Sequence, residues 1–367
     1  MKNKLSPLQA VFFIIQSQIG VGVLSLPHLL MKDMGHDGWV AIILGGFFIQ
    51  IFNTIFLYII YKYPDISFFD ALIDVFGKMI GRFLCVLYSL YFASVCIIVL
   101  STFTRILDIW VLQLTPNWVI NLLLIFTAIY IAKEKIMAIV RFNFILTPVL
   151  IILSLLMLYA LKGTNIDYLR PFFQIDTSEL STSLKDVVLS MNGFEMILII
   201  SPIVKGSIKS KYHVMTIANI FTTLYYLFVT LICFMFFSPK ELNIIPTPVI
   251  YLLKTLSFGV IERTDLIFLS FWVLAILAIL GNYLHFAAKG VGTLIKKNHK
   301  NHHKTIVYLF AIVIYAVSCY LSTDNTRIEH FNEFTTIAQY SFIYTLPIFM
   351  SIIVLVKRKG KGKSHAT

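Results

Sequence analysis

The sequence predicts an all-α integral membrane protein, with ten transmembrane helices in a five-plus-five inverted repeat and helices 1 and 6 interrupted. Three observations carry this expectation. Of 367 residues, 58% are hydrophobic and only 13% charged, at a mean hydropathy of +0.85, which excludes a soluble globular domain. Apolar runs long enough to cross a bilayer recur along the whole chain. Two of them, at corresponding positions in the two halves, are broken in the middle by glycine, proline and polar residues.

The first run, about 8–31, holds Gln18-Ile-Gly-Val-Gly-Val-Leu-Ser-Leu-Pro27 at its centre. Gly20, Gly22, Ser25 and Pro27 weaken a helix and leave backbone groups unpaired, which lipid tolerates only where they are buried in protein or line a cavity. The run is too long for a signal peptide, carries Gln16 and Gln18, and lacks a small-residue cleavage site. Helix 2 follows at about 38–61, with Gln50, Asn53 and Thr54, and helix 3 at about 82–104. The run at 117–132 is short for a hydrocarbon core of about 30 Å, yet the count requires it as helix 4. Helix 5 occupies about 138–161 and closes the first repeat, 8–161. The second repeat, 187–356, opens with helix 6 at 187–204, interrupted by Ser190-Met-Asn-Gly-Phe-Glu195 and followed by Pro202. Helices 7 to 10 lie at about 213–237, 265–288, 304–322 and 335–356, and 357–367 is a basic tail. The whole of 1–367 is one transmembrane domain. Its two long loops, Gly163 to Lys185 and Ser238 to Arg263, fall outside; the second is long enough to hold an interfacial helix.

Charge placement tests this topology. With the N-terminus inside, the inside segments hold 21 of the 30 basic residues, ending in Lys357-Arg-Lys-Gly-Lys-Gly-Lys363. Both termini are therefore expected in the cytoplasm, and the net charge of +12 reads as membrane orientation, with no nucleic-acid partner. The tail reads as a solvated stop-transfer flank that can also rest on anionic lipid. Cys85, Cys96, Cys233 and Cys319 lie scattered through apolar segments, without metal or disulfide spacing. The loop Lys296-Lys-Asn-His-Lys-Asn-His-His-Lys304 carries three histidines, but its lysines repel a cation. No phosphate loop, HExxH or nucleophile elbow occurs, so neither an enzyme, a cofactor nor a metal centre is expected.

The chemistry points to the two interruptions. If Ile19 to Val23 is unwound, the following half-helix starts with free N–H groups suited to a carboxylate, while freed carbonyls suit an ammonium or a sodium ion. Gly20, Val21, Gly22 and Val23 are the candidate backbone contacts, and Asn192, Gly193, Phe194 and Glu195 face them from helix 6. Glu195 is the one acidic residue inside an apolar run, and an intramembrane carboxylate is costly enough to suggest function. It can act as proton acceptor, ammonium partner or helix-pinning hydrogen bonder, or instead bond to Gln50, Asn53 and Thr54 of helix 2. Tyr88, Tyr91, Phe92 and Val95 share one face of helix 3, where a tyrosine hydroxyl can meet a ligand carboxylate or simply pack. Phe271, Leu274, Ala275 and Ala278 form an apolar face of helix 8, with Asn282 and His285 further along.

These residues resemble a known family. Gln18-x-Gly20-x-Gly22-Val-Leu-Ser-Leu-Pro27, Gly35-x-x-Gly38-Trp39, Tyr63-Pro64 and the Arg170-Pro171 loop are similar to the germinant-receptor B subunits of endospore-forming bacteria. That family belongs to the amino acid–polyamine–organocation transporter superfamily, with its LeuT-like five-plus-five fold. The resemblance implies a nutrient-sensing subunit in the spore inner membrane, working beside an A subunit and a lipoprotein C subunit. It would bind an L-amino acid or similar nutrient at Gly20 to Val23 and Asn192 to Glu195, with Tyr91, Phe271 and Leu274 as further pocket residues. One departure bears on mechanism. Sodium-coupled members carry a hydroxyl pair in inner helix 8, where this chain has Gly281 and Asn282. Some proton-coupled members carry a lysine in mid-helix 5, and Ile145 to Ser154 has none. The expectation is a receptor that changes shape on binding; the alternative is a proton-coupled amino acid permease.

Overall fold

A computed structural model describes residues 4–170, 177–256, 263–295 and 300–363. The chain starts with α1 (Pro7–Gln18) and α2 (Gly22–Met34), separated by three non-helical residues. Ser6 caps α1 by accepting from the Gln9 N–H while the Gln9 side chain returns to the Ser6 N–H, and Pro7 sits at the first helical position, where no N–H is needed. Next come α3 (Gly38–Lys62), the short α4 (Phe68–Phe76), α5 (Lys78–Trp110), α6 (Asn117–Ala132) and α7 (Ile136–Tyr159). The second half comprises α8 (Thr177–Ser190), α9 (Met196–Ile200), α10 (Ile208–Phe236), α11 (Pro239–Leu242), α12 (Pro248–Thr255), α13 (Thr264–Gly292) and α14 (Lys300–Leu321). It closes with α15 (Asn325–Gln339) and α16 (Leu346–Lys363), joined by one π-helical turn at Tyr340–Thr345.

Among the described residues, seven helical stretches are long and apolar enough to cross a membrane, and α6 is apolar but shorter. Helix α5 packs along α13, α3 along α10, and α1 between α7 and α10. Large apolar side chains such as Phe47, Phe83, Phe126, Ile145, Leu224 and Ile312 are exposed on the outer surfaces of α3, α5, α6, α7, α10 and α14. Polar side chains such as Gln16, Gln18, Asn143, Asn192, Glu195 and Asn282 are buried. This inside-out distribution is that of a bundle solvated by lipid, which leaves polar groups to partner one another inside.

Three differences from the sequence expectation bear on the site. The break in the first run covers Ile19–Val21 only, since Gly22 and Val23 already belong to α2. The helix expected to begin at 187 begins at Thr177, and that expected at 335 begins at Asn325. Both early turns are polar, so hydropathy passes over them. In the loop after α10, α12 packs on α2, α10 and α13 with Val249, Ile250, Leu252 and Leu253 buried. Of the Tyr168 to Phe173 motif, Pro171, Phe172 and Phe173 lie outside the described residues, as do 296–299 of the histidine-rich loop. Among the described residues no three His, Cys, Asp or Glu side chains are placed to hold a metal, and all four cysteines are free.

Candidate ligand site

The two breaks meet. Helix α1 ends where Ile19 turns extended (φ −94°, ψ 93°), and α8 ends at Ser190, leaving Met191–Glu195 non-helical before α9. Gln18 donates from Nε2 to the Met191 carbonyl at 2.9 Å, tying one break to the other. Tyr226 of α10 has its hydroxyl 2.7 Å from the Ser190 carbonyl and 3.1 Å from that of Gln18, so one O–H is shared between the ends of both half-helices. Thr222, one turn earlier, donates to Gln18 Oε1 at 3.2 Å. Carbonyls released by unwinding are thus satisfied by side chains, as a dry interior requires.

Gly193 has φ +119°, and a Cβ there would sit 2.4 Å from the Ser17 carbonyl oxygen. Only glycine fits both the conformation and the contact. Gly22 approaches the second break almost as closely, since its Cβ would lie 3.0 Å from Ser190 Cβ and Oγ. Gly22 and Gly193, both among the expected ligand contacts, therefore make room for the opposing half-helix.

Beside the paired breaks lies a cavity of about 260 Å³. Gly20, Val21, Gly22 and Ser25 form one wall, Asp186, Ser190 and Asn192 another, and Val95 and Thr102 of α5 a third. Ile279 and Tyr283 of α13 close its inner side, while Glu329, Asn332, Thr336 and Gln339 of α15 cover it. A second compartment of about 500 Å³ shares Val21, Ser25, Thr102, Ile328 and Glu329 with the first and extends to Trp110, Tyr251 and the Ile244–Thr247 loop. Together they make a funnel from the loop end of the bundle to the breaks, of a size that admits a small solute.

The sequence-predicted residues divide. Gly20, Val21, Gly22 and Asn192 line the cavity. Val23 is helical and buried behind it. Phe194 stacks on Phe56 (centroids 5.5 Å apart) and packs within the core. Glu195 accepts from the Gly193 N–H at 2.8 Å and from the hydroxyls of Tyr283 at 3.3 Å and Tyr91 at 3.4 Å. Glu195 and Tyr91 therefore stand one layer behind the wall: the carboxylate pins the unwound loop and the Tyr283 ring that faces the cavity. Gln50 and Asn53 instead join Tyr212, Thr216 and Asn219 in a separate network. Phe271 and Leu274 need correction as inward-facing residues: Phe271 is exposed and Leu274 half-buried, because α13 turns Trp272, Ala275, Ile279 and Tyr283 inward. His285 has Nδ1 2.8 Å from the Ala132 carbonyl and 3.2 Å from His303 Nε2, a packed pair away from the cavity.

Sequence reasoning missed Tyr226, Thr222, Asp186 and the polar face of α15. For α15 the signal was present as polar residues spaced three to four apart, Glu329, Asn332, Thr336 and Gln339, in a stretch too polar to read as membrane. It also missed Tyr344, whose hydroxyl donates to Asn192 Oδ1 at 3.0 Å from within the π-helical turn.

Residues 4–326 match the family described as "Spore germination protein". This chain belongs to that family. It is 26% identical to spore germination protein GerQB of Bacillus cereus, over 97% of this chain and 96% of the relative. It is also 26% identical to spore germination protein A2 of Bacillus subtilis (strain 168), over 97% of each, and 25% identical to spore germination protein B2 of the same strain, over 99% and 98%. Among solved structures it resembles a Na+-coupled sialic acid symporter in a substrate-bound outward-open state, with a TM-score of 0.62 over 96% of this chain and 78% of that one, at 12% identity. The likeness is one of fold: a transporter-type helical bundle. With seven apolar spans among its described residues, this member of the family is a multi-pass membrane protein.

Proposed function

We propose that this chain is the B subunit of a nutrient germinant receptor in the spore inner membrane, and that an amino acid-type nutrient bound at the paired breaks triggers germination. In this reading the chain crosses the membrane ten times, both termini are cytoplasmic, and α1–α7 and α8–α16 are the two inverted repeats. α1/α2 serves as helix 1, α8/α9 as helix 6 and α15/α16 as helix 10. An A subunit and a lipoprotein C subunit complete the receptor. The observation that carries the ligand reading is the funnel, which ends on both interruptions and on the amide of Asn192. Family membership carries the germination reading.

The alternative is a proton-coupled amino acid permease, which the transporter fold accommodates. Two contacts favour the receptor. Asn282 of α13 pairs with Asn143 of α7 through reciprocal amide bonds of 3.0 and 3.1 Å and donates to Ser17 of α1 at 3.0 Å, a closed amide cluster in place of free oxygens. Glu195 is committed to its three donors. The test pairs uptake of labelled amino acids by proteoliposomes holding this chain alone with germination of Gly22→Leu spores. No accumulation against a gradient, together with nutrient-blind spores at normal receptor levels, is the expected result. Accumulation without partner subunits would make the chain a pump.

A further inference from the structure

The inner cavity has a charge balance of its own. Its charged side chains are Asp186 of α8 and Glu329 of α15, and no lysine, arginine or histidine is in the lining. Arg105, the cation of the outer compartment, is already held by Asp108 at 2.7 Å and donates from Nε to Asn325 at 3.1 Å. Lys185 and Asp33 act on Asp186 from outside the lining with opposite signs. Neither Asp186 nor Glu329 is in an ion pair among the described residues.

A second observation comes from Asn192, in the same lining. It is 7% exposed, and its Oδ1 is occupied by the Tyr344 hydroxyl, while its Nδ2 has no partner among the described residues. A buried N–H donor without an acceptor is unfavourable, and a ligand oxygen is what it lacks. The lining thus holds a buried amide donor without an acceptor on one side and two carboxylates on others. Asp186 is half-buried and Glu329 exposed at the mouth, and a lining of one sign attracts a cation and repels an anion.

We infer that the cavity selects a ligand with surplus positive charge, such as a basic amino acid, whose oxygen end meets Asn192 and whose ammonium groups face Asp186 and Glu329. This rests on the ligand site proposed above and narrows its ligand class. The balance changes with ligand charge: a zwitterion presents one ammonium to two carboxylates, a basic amino acid presents two, and an acidic amino acid adds repulsion.

The test is competition against radiolabelled L-ornithine on the full chain in lipid nanodiscs, with L-glutamine and L-glutamate as competitors. Each exposed ion pair is worth a few-fold in affinity, so L-ornithine, with one ammonium more, should bind about threefold to fivefold more tightly than L-glutamine, and L-glutamate more weakly still. The double variant Asp186→Asn, Glu329→Gln, checked for an unchanged melting temperature, should bring L-ornithine and L-glutamine within about twofold of each other and flatten the salt dependence. Asn192→Ala should weaken both by the same factor. L-Glutamate competing as well as L-ornithine, or a double variant that keeps the cation preference, overturns the inference. If L-glutamate wins and Gly22→Leu abolishes its binding, the site stands and only the charge selection is wrong. If none of the three binds, the amino acid site fails and the charge selection fails with it.

Discussion

At Gly193 the backbone conformation and the packing impose the same residue. Its φ of +119° disfavours any side chain, and the Ser17 carbonyl occupies the space a Cβ needs. Gly193→Ala should therefore cost about 1–3 kcal/mol from the conformation alone, and more from the contact. Gly20→Ala is the control, since its Cβ would meet only the flexible Cδ1 of Ile279 at 3.1 Å. Thermal unfolding of the two purified variants should show a large drop for the first and a small one for the second; equal drops would remove the glycine's special status. Glu195 gives a sharper test of mechanism. Glu195→Gln keeps an oxygen for the Gly193 N–H and should leave germination close to wild type. Glu195→Ala orphans a buried N–H, at about 1–3 kcal/mol, and should lower receptor level or response. A Glu195→Gln receptor that folds normally yet cannot respond would show that the charge itself is needed.

Helices, more than residues, decide what carries a signal. On the α1 side of the bundle, Leu5 donates its N–H to the Ile203 carbonyl at 2.8 Å and accepts from the Lys205 N–H at 2.9 Å, clasping the N-terminus to the strand-like linker after α9. Leu5→Pro removes the first of these donors, and it should make Ser201→Cys, buried beside the clasp, react faster with a small thiol reagent in a Cys319→Ser background. An unchanged labelling rate would mean that the clasp does not hold that end shut. At the loop end, Glu241 accepts from the Ser238 hydroxyl at 2.7 Å and N–H at 2.8 Å, and these bonds hold its carboxyl below the usual range. A depressed carboxyl stabilises above its unfolded value of about 4.3 and loses that contribution as pH falls through its lower folded value. Hydrogen exchange in α11 should be flat from neutral pH to about 5 and quicken in stronger acid, after correction for intrinsic rates. The same element scale shows what a sequence can disclose. The two breaks at Gly20–Gly22 and Asn192–Glu195 were legible because lipid penalises unpaired backbone, so such residues need a reason. The early turns of α8 and α15 were not, because both are polar and hydropathy measures only the match to lipid; those of α15 face the funnel through Asn325, Ile328, Glu329 and Asn332, and those of α8 reach it at Asp186. The wall of α13 was misassigned for a related reason: Phe271 and Trp272 are both large and apolar, and only packing says which one points inward.

Across the whole molecule, a receptor needs two shapes and a ligand that prefers one of them. The walls of the funnel belong to different elements: α2 and α8 carry the breaks, α5 and α13 form the packed scaffold, and α15 closes the mouth. Through Tyr344 and Asn192, the π-helical turn ends α15 directly on the second break. In the proposed reading, a ligand seated on Asn192 would act on the helix that covers it, with no long chain of intermediates. Shifting a population from mostly open to mostly closed requires differential affinity; a change from 1:99 to 99:1 takes about 10⁴-fold, or about 5.5 kcal/mol. Closure is readable at Asn332, which is exposed and lines the mouth. Asn332→Cys in the Cys319→Ser background, in receptors reconstituted with their partner subunits, should react with a membrane-impermeant maleimide added from outside. Saturating amounts of the L-amino acid that germinates the same spores should slow that reaction at least about tenfold if closed states come to dominate. Protection that appears only with partner subunits present would place the switch in the assembly. Protection in the isolated chain would place it in these helices. Binding without any change in rate would mean that the funnel fills but does not close, and that the signal leaves by another surface.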